Sequence, residues 1–326
     1  MIPDRVKPTI GVALGSAVEQ AMRRTGRRRG LAVMYHRVGD PAGDPLHELV
    51  PALSARLFES QLRYLRDRYR VVPASELLEA TRARRRGERF PVAVTFDDDL
   101  RSHAEVAMPI LRDLGLVGTF FVSGASLDGP HTFWWEHLQR AFDRRLPLAA
   151  VLPATVAAIA DPPAREEIRP IAEVLIRDTS AQERAEIADA LGALVGPDAA
   201  EGGISADDLR AIAASGQQIG FHTRRHDYLP TLDDGSLRRA MIEGRTEVES
   251  VLGQLLTMLA YPYGGWDRRV AEAARAAGYS LAFTTDQTVV HPGSDELAIG
   301  RIEASFESIG HFALQLARTL IIRPEA

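Results

Sequence analysis

The chain has 326 residues, of which 45% are hydrophobic, and its formal net charge is −5. This length and apolar content are sufficient for one barrel-sized domain or for two smaller domains. The absence of cysteine excludes disulfides, thiolate nucleophiles and cysteine-based zinc sites, and the mildly acidic charge argues against nucleic acid as a partner.

Residues 1–29 are predicted to form an N-terminal helical extension. They lack a basic segment followed by an apolar core, so we expect no secretory signal and a cytoplasmic protein. No uninterrupted apolar stretch is long enough to span a bilayer. Residues 10–22 and the arginines behind them leave two interpretations open, a solvated helix or a peripheral contact with the inner membrane.

Strands and helices alternate over the next hundred residues. Residues 31–35 form an apolar run that is typical of a core strand, and His36 follows it. Ser54 is the expected N-cap of a helix with apolar residues at helical spacing. The other elements predicted here are strands at 69–72 and 117–122, a helix capped by Ser75 and a helix over 104–114 kinked at Pro109. This alternation indicates a parallel α/β sheet or barrel.

The central strand of this pattern covers residues 92–96 and ends in three consecutive carboxylates. Asp97, Asp98 and Asp99 directly follow a run of β-branched and aromatic residues. We expect them at the carboxyl end of the strand, where α/β folds keep their chemistry. Three adjacent like charges repel one another, and a divalent metal ion is the simplest positive partner for them.

The second half of the chain differs from the first in its long strand-free segment. Residues 133–203 show only helical spacing, which indicates a helical insert on one barrel loop. Ser205 and Asp208 have the spacing of a capping box. The elements expected after it are strands at 218–222, 258–261, 281–285 and 299–302 and helices at 237–252, 268–277 and 312–322.

Two further polar stretches follow strands. His222 and His226 are four residues apart, which brings two imidazoles to one side of a helical turn, as two metal ligands require. Pro262 and Tyr263 form a stiff aromatic turn after the next strand. One carboxylate and two imidazoles suit Zn²⁺ best but also fit other divalent ions, and the common position after strands predicts one catalytic face.

These motifs together resemble the polysaccharide deacetylase family of metal-dependent carbohydrate esterases. The similarity rests on Thr95-Phe96-Asp97-Asp98, His222-Thr223-Arg224-Arg225-His226 and Pro262-Tyr263-Gly264. It covers about residues 30–305 and leaves 306–326 as a C-terminal helix. The resemblance implies a deformed parallel β/α, TIM-like barrel, here with the helical insertion.

The resemblance also implies roles for individual residues. Asp97 corresponds to the catalytic base, and Asp98, His222 and His226 correspond to the ligands of one divalent metal ion, with Zn²⁺ preferred. Tyr263 corresponds to the residue at the acetyl group, whose backbone N–H faces the oxyanion. His36, Trp135, Pro262 and Trp266 are candidates for substrate contacts, with a core histidine and an anchor for the insert as the structural alternatives for His36 and Trp135.

Three positions depart from the family pattern. Asp99 stands where the family has glycine, so it is either an additional ligand or a partner of Arg101. Ala260 stands where many members have an arginine that orients the base, and Arg301 is the candidate replacement. The motif that carries the general acid is missing, so the group that protonates the leaving amine is unassigned.

The favoured function is therefore metal-dependent removal of acetyl groups from N-acetylated sugars of an oligo- or polysaccharide or a lipid-linked glycan. One alternative is a catalytically impaired carbohydrate-binding or scaffold protein on the same fold. Another is a glycosyltransferase, because Asp97-x-Asp99 after a strand can also hold a metal and a nucleotide sugar. The histidine pair and the Pro-Tyr-Gly turn have no role in that case. The sugar, the choice between N- and O-acetyl groups and the oligomeric state are not specified by the sequence.

Overall fold

The fold was analysed in a computed structural model that describes residues 8–39, 47–153, 156, 168–196 and 203–322. The strands are β1 (Leu31–Tyr35), β2 (Arg70–Val71), β3 (Pro91–Asp97), β4 (Thr119–Val122), β5 (Gln218–Phe221), β6 (Met258–Ala260), β7 (Leu281–Phe283) and β8 (Ile302–Glu303). The α-helices are α1 (Pro8–Arg23), α2 (Ala55–Arg68), α3 (Leu77–Ala83), α4 (Met108–Asp113), α5 (Trp134–Asp143), α6 (Arg169–Asp178), α7 (Ala181–Val195), α8 (Ala206–Ala214), α9 (Asp234–Ala240), α10 (Arg245–Leu252), α11 (Arg268–Ala276) and α12 (Ile309–Ile321). Short 3₁₀ turns cover Ala74–Glu76, Leu148–Ala150, Leu229–Thr231 and Pro262–Gly264.

All eight strands belong to one curled parallel sheet. Seven of them follow the order β7-β6-β5-β4-β3-β1-β8, and β2 pairs with the beginning of β3. The register places Tyr35 beside Phe96, Asp97 beside Phe121, and Val122 beside Phe221. Four strands therefore end at nearly the same level, and the residues that follow them meet at one edge. The predicted α/β barrel architecture is confirmed, with strand ends within about two residues of those expected.

Successive side chains of a strand point to opposite faces of the sheet, and the two faces of this sheet carry different residues. One face packs aromatic rings beneath α2. Phe96 stacks on Phe120 with centroids 4.4 Å apart and on Tyr35 at 5.5 Å, and Phe58 meets both Tyr35 and Phe96 edge-on. The other face combines alanines with two phenylalanines from several strands, and its buried cluster contains Ala32, Ala93, Phe121, Ala260 and Phe283.

The predicted caps are confirmed at two helices and wrong at a third. The Ser54 hydroxyl accepts a hydrogen bond from the Leu57 N–H, and Ser205 forms a capping box with Asp208. Ser75 caps no helix, because it lies inside the 3₁₀ turn that precedes α3, where it bonds to Gln218.

Two predicted helices differ in their course. The expected helix over 237–252 is two helices, α9 and α10, because the chain turns at Gly244, whose φ is 80°. An added Cβ there would lie 2.8 Å from the Arg224 side chain, so glycine suits the turn for two reasons. The helix expected over 104–114 begins as a π-helical turn, His103–Ala107, and α4 follows with Pro109 in its first turn.

The insert consists of α5, α6 and α7 in its described part. These helices share a hydrophobic cluster separate from that of the barrel, and it includes Trp135, Leu138, Ile171, Leu175 and Leu191. Residues 154–155, 157–167 and 197–202 of the predicted insert lie outside the described residues, as do 1–7 and 323–326 of the two predicted terminal segments. The exact domain boundaries stay predictions.

The N-terminal helix packs lengthwise on the last helix. A Cβ at Gly11 would approach Gly310 to 2.7 Å, and a Cβ at Gly15 would approach the Ala313 carbonyl oxygen to 2.6 Å. Glycine is required at both positions because the two backbones lie too close for a side chain. None of the described helices combines the length and the apolar character needed to cross a bilayer.

Candidate active site

The acidic stretch turns sharply where β3 ends. Asp97 is the last residue of the strand, and Asp98 has a φ of 73°, so the chain bends directly after Asp97. A non-glycine residue in this region of φ is uncommon and marks a conformation held by its surroundings. Both side chains are almost fully buried. The turn sends the Asp98 carboxylate toward the residues that follow β5.

The two histidines reach the same place through a loop turn. Thr223 and His226 have φ values of 54° and 52°, so the segment is not helical, and the predicted helical turn is wrong. Two left-handed residues within four positions fold the loop tightly enough to bring the imidazoles together. His222 Nδ1 lies 2.8 Å from the Ala260 carbonyl oxygen, which accepts a hydrogen bond from the Nδ1–H and leaves Nε2 as the unprotonated ring nitrogen.

Three potential ligand atoms converge in this buried space. Asp98 Oδ1 lies 3.5 Å from His222 Nε2 and 3.3 Å from His226 Nε2, and the two Nε2 atoms are 3.1 Å apart. Among the described residues, this is the group of side chains whose atoms could hold a metal ion, all within 4.8 Å of one another. Asp98 Oδ1 is buried and has no hydrogen-bond partner. An orphaned carboxylate oxygen facing two imidazole nitrogens is the donor set that a divalent cation satisfies.

The second carboxylate has a different partner. Arg301 is fully buried and binds Asp97 as a fork, with Nη1 and Nη2 each 2.6 Å from one carboxylate oxygen. Its Nε donates to the Thr284 carbonyl oxygen at 3.0 Å and fixes the guanidinium. Burial alone would raise the pKa of Asp97, but the Arg301 charge and hydrogen bonds, assisted by His222, hold it below the usual value. Arg301 therefore occupies the position expected of a replacement for the missing arginine at Ala260.

Two side chains of this cluster, Asp98 and His222, have shifted pKa values. Burial acts to raise the pKa of Asp98, but the two nearby imidazoles outweigh it and lower this pKa strongly. Burial also lowers the pKa of His222, against the opposing effect of Asp97. A carboxylate that stays ionised and an imidazole that stays neutral are the protonation states that metal binding requires.

Asp99 does not take part in the cluster. Its carboxylate accepts hydrogen bonds from the Ser123 N–H at 2.7 Å, the Ser123 hydroxyl at 2.8 Å and the Ser126 hydroxyl at 3.3 Å. Both interpretations made from the sequence, an additional ligand and a partner of Arg101, are wrong. The residue instead ties the end of β3 to the loop after β4, and its carbonyl oxygen accepts from the Ile204 N–H where the insert returns.

The Pro-Tyr-Gly turn closes one side of the site. Tyr263 has a φ of 57°, and its ring lies edge-on to His226 with centroids 4.5 Å apart. The Trp134 indole N–H donates to the Tyr263 hydroxyl at 3.2 Å, and burial raises the pKa of this phenol. Trp135 approaches the other side of His226 at 4.6 Å. The Trp135 and Tyr263 rings are themselves 6.5 Å apart, so one ring from the barrel and one from the insert pack against adjacent sides of the imidazole.

A cavity of about 230 Å³ opens onto these groups. It is lined by Asp97, Asp98, His222, His226, His36, Trp134, Trp135, Tyr263, Thr285, Leu49, Val50, Arg169, Ala172, Glu173 and Ile176. His36 and Trp135 thus line it as expected. Pro262 is buried in the turn without lining it, and Trp266 lies outside it, where its indole N–H donates to Asp286.

Sequence reasoning named Trp135 of the insert but missed the contribution of α6 to this cavity. Ala172, Glu173 and Ile176 all belong to α6, a helix 70 or more residues from β3 in the chain. Their i, i+4 spacing indicates one helix face, but it does not specify what that face covers. A buried ion pair adds a second link, because Arg184 of α7 donates to Asp227, the neighbour of His226, at 3.1 Å.

Comparison with known sequences agrees with this arrangement. The family model described as "Polysaccharide deacetylase" matches residues 174–282, a segment that contains His222, His226 and Tyr263 but not Asp97 or Asp98. No curated protein matches the chain. The resemblance predicted from the motifs is confirmed over this segment of the chain.

Solved deacetylase structures share the fold over most of the chain. Streptococcus pyogenes deacetylase PplD, in complex with acetate, is 17% identical with a TM-score of 0.59, covering 91% of this chain and 99% of that chain. IcaB from Ammonifex degensii is 21% identical with a TM-score of 0.57, covering 89% and 98%. A de-N-acetylase from Aggregatibacter actinomycetemcomitans is 17% identical with a TM-score of 0.54, covering 87% and 99%.

Proposed function

We propose that this chain, whose sequence match and fold are those of the polysaccharide deacetylase family, is a metal-dependent hydrolase that removes acetyl groups from N-acetylated sugars. The observation that carries the proposal is the convergence of Asp98, His222 and His226 beside an arginine-bound Asp97. A metal position and a separate ionised carboxylate, both open to one cavity, are the two groups that amide hydrolysis by water needs.

Asp98, His222 and His226 would hold the metal ion, and Zn²⁺ suits this ligand set best. The ion would polarise the acetyl carbonyl and lower the pKa of a nearby water. Neighbouring groups hold the proposed ligands in place before a metal binds. The Ala260 carbonyl orients His222, and the rings of Tyr263 and Trp135 pack against His226. Such outer contacts fix the ligand geometry and contribute to metal affinity.

Asp97 is the proposed general base. It stays ionised because Arg301 lowers its pKa, and the fork holds it in one orientation toward the cavity. A carboxylate fixed in this way can take a proton from the attacking water without first rearranging. Arg301 is therefore a positioning residue, which acts on the reaction through Asp97.

The oxyanion and the leaving amine need their own partners. The backbone N–H of Tyr263 is the proposed oxyanion donor, because its turn is fixed by a left-handed φ and by packing against His226. His36 is the proposed proton donor to the amine. It follows β1 beside Asp97 in the sheet, lines the cavity, and is the one imidazole there outside the proposed ligand set.

An acetylated saccharide is the proposed substrate class. The cavity carries apolar side chains from Leu49, Val50 and Ile176 above its polar floor, and such a wall accommodates an acetyl methyl group. The S. pyogenes deacetylase was solved with acetate, the product of such a reaction. The cytoplasmic location and a lipid-linked or oligomeric glycan as the preferred form of substrate stay predictions.

The positions of Asp97 and Asp99 argue against the glycosyltransferase alternative. It requires Asp97 and Asp99 to face one metal, but Asp99 is occupied by Ser123 and Ser126 on the other side of the turn. The binding or scaffold alternative keeps the same fold and differs only in turnover. It is therefore separated from the hydrolase by measurement of the reaction.

The test begins with bound metal and continues with turnover. We expect near-stoichiometric divalent metal by elemental analysis of wild-type protein after reconstitution, and its loss in His222→Ala/His226→Ala but not in the control His291→Ala. Acetate release from a panel of N-acetylated sugars should then be abolished by Asp97→Asn. Metal binding without acetate release from any sugar would favour the binding protein, and no metal binding at all would refute the hydrolase.

A further inference from the structure

The outer face of α1 has an unusual composition. A surface helix of a soluble domain normally exposes its charged residues and buries its apolar ones. In α1, Glu19 is the only charged residue before the final Arg23, and Glu19 is buried. The positions that face solvent carry no charge: besides Pro8, Thr9 and Gln20 they are Ile10, Ala13, Leu14, Ala17 and Ala21. Their spacing of three and four residues makes one continuous apolar stripe.

This stripe is not needed to hold α1 on the barrel. The opposite side of the helix packs through Gly11 and Gly15 against α12, and Ser16 lies within hydrogen-bond distance of the Tyr64 hydroxyl. Ile10 and Leu14 stay 50% and 52% exposed after this packing. Among the exposed large hydrophobic side chains of the described residues, four of seven lie on these two helices or directly after α12, namely Ile10, Leu14, Ile321 and Ile322.

A strongly basic collar surrounds the C-terminal end of the stripe. It is formed by the exposed arginines Arg24, Arg27, Arg28, Arg85, Arg86 and Arg89. The two chain segments that carry them are joined, because the Gly87 N–H donates to the Arg23 carbonyl oxygen at 2.7 Å and Arg84 donates to the Arg27 carbonyl oxygen. Acids near the collar include Glu19, which is buried, Glu88, which accepts from the Arg85 N–H, and Asp67, which pairs with Arg66.

We propose that the apolar stripe of α1 and this arginine collar form a docking surface for an anionic phospholipid membrane. The combination is that of an in-plane interfacial helix, in which apolar side chains enter the headgroup boundary while arginines bind lipid phosphates. The positive charge selects this partner over a second copy of the chain, since the copy would present an identical collar.

The orientation follows from the neighbouring helix. α12 begins six residues after β8 ends, and near its end the Leu320 carbonyl oxygen accepts from Arg29, just before β1 begins. The α1–α12 layer therefore runs along the side of the barrel. Docking through it leaves the candidate active site, at the carboxyl ends of the strands, beside the bilayer and uncovered by it. The proposal does not depend on the proposed hydrolase activity.

The test is sedimentation of the full chain with vesicles of phosphatidylcholine, with and without phosphatidylglycerol. We expect binding that requires phosphatidylglycerol and decreases with added salt. Leu14→Glu should lower the partition coefficient by roughly tenfold, and Arg27→Glu/Arg28→Glu, which removes two basic residues, by roughly thirtyfold or more. Leu255→Glu and Arg268→Glu, at positions 75% and 93% exposed elsewhere on the surface, are the matched controls and should bind like wild type.

Each other result counts against the proposal. The proposal would be overturned if the protein bound neutral vesicles equally well, or if the control variants lost as much vesicle binding as Leu14→Glu. It would also be overturned if folded wild-type protein bound no vesicles. A concentration-dependent dimer that Leu14→Glu abolishes, without vesicle binding, would assign the stripe to a second copy. Acetate release from a soluble sugar by Leu14→Glu should match that of wild type, so that failure here is distinguishable from failure of the proposed reaction.

Discussion

The pair formed by Arg301 and Asp97 offers the sharpest test of how the site is built. Replacing Arg301 with methionine keeps much of the side-chain length but removes both hydrogen bonds to Asp97, each 2.6 Å long. The carboxylate would then stay buried without its main counter-charge. We expect loss of stability and of acetate release together, because Asp97 would no longer be held ionised and oriented.

The size of the stability loss follows from the burial of the pair. The side chains of Arg301 and Asp97 are 0% and 3% exposed, so solvent cannot replace the lost partner. Removing one member of such a buried pair costs about 3–5 kcal/mol. That is a large part of the roughly 5–15 kcal/mol that stabilises a folded domain. Arg301→Lys keeps the charge without the fork and should lose less.

A double-mutant cycle separates this effect from ordinary loss of packing. Urea unfolding of metal-free protein would be measured for Arg301→Met, Asp97→Asn and the combination of both. Because the double variant leaves no unpaired charge, its destabilisation should be smaller than the sum of the two single effects by about 2 kcal/mol or more. Additive losses would refute the view that the two side chains act as a pair.

The pH dependence of Arg301→Met carries a second signature. Without Arg301, burial dominates and raises the folded-state pKa of Asp97 above its unfolded value. A protonated Asp97 needs no counter-charge, so the stability difference between variant and wild type should shrink as the pH falls through that raised pKa. A difference that stays constant down to the acid limit would point to lost packing instead.

Three other predictions concern neighbouring groups. Chelation of metal should lower the melting temperature of wild type but not of His226→Ala, because a ligand that binds only the folded state stabilises it. Arg184→Met should unpair the buried Asp227 beside His226 and weaken metal affinity by roughly tenfold, measured by competition with a chelating dye. Burial lowers the pKa of His103 to about 4. The unfolded histidine binds its proton near pH 6.5, so stability should fall by up to about 3 kcal/mol as the pH drops across this window. In His103→Phe, urea midpoints measured between these pH values should show a smaller slope.

The parts of the site that lie on single strands were predictable from the sequence. An apolar run that ends in Asp97 and Asp98 specifies both a buried strand and the place where its chemistry lies. The same logic located His222 after β5, since the carboxyl ends of parallel strands share one edge. These signals are local, and tertiary packing does not have to be known to interpret them.

The turns between these residues were not predictable in the same way. A spacing of four residues suits a helix, but Thr223 and His226 both adopt left-handed φ values that few non-glycine residues accept. The His226 ring is packed against Tyr263 and Trp135, which come from other parts of the chain. The loop shape is thus a consequence of tertiary packing, and the sequence pattern alone favoured the wrong turn.

Asp99 illustrates a related limit. Three acids in a row look equivalent in a sequence, and nothing local distinguishes a ligand from a structural acceptor. The positive φ of Asp98 separates them, because it turns one side chain toward the histidines and leaves the next toward Ser123 and Ser126. The backbone turn at Asp98 therefore gives the three adjacent carboxylates three different sets of partners.

Arg301 shows that the partner of a buried carboxylate can come from a position that the motifs do not contain. Ala260 of β6 belongs to the same buried cluster as Ala93 of β3. Arg301 stands just before β8, and its guanidinium carbon lies 5.6 Å from the centroid of the Phe121 ring. The guanidinium reaches Asp97 from a different strand. A buried carboxylate requires a cation, and the barrel interior can supply it from any strand that points inward at that level.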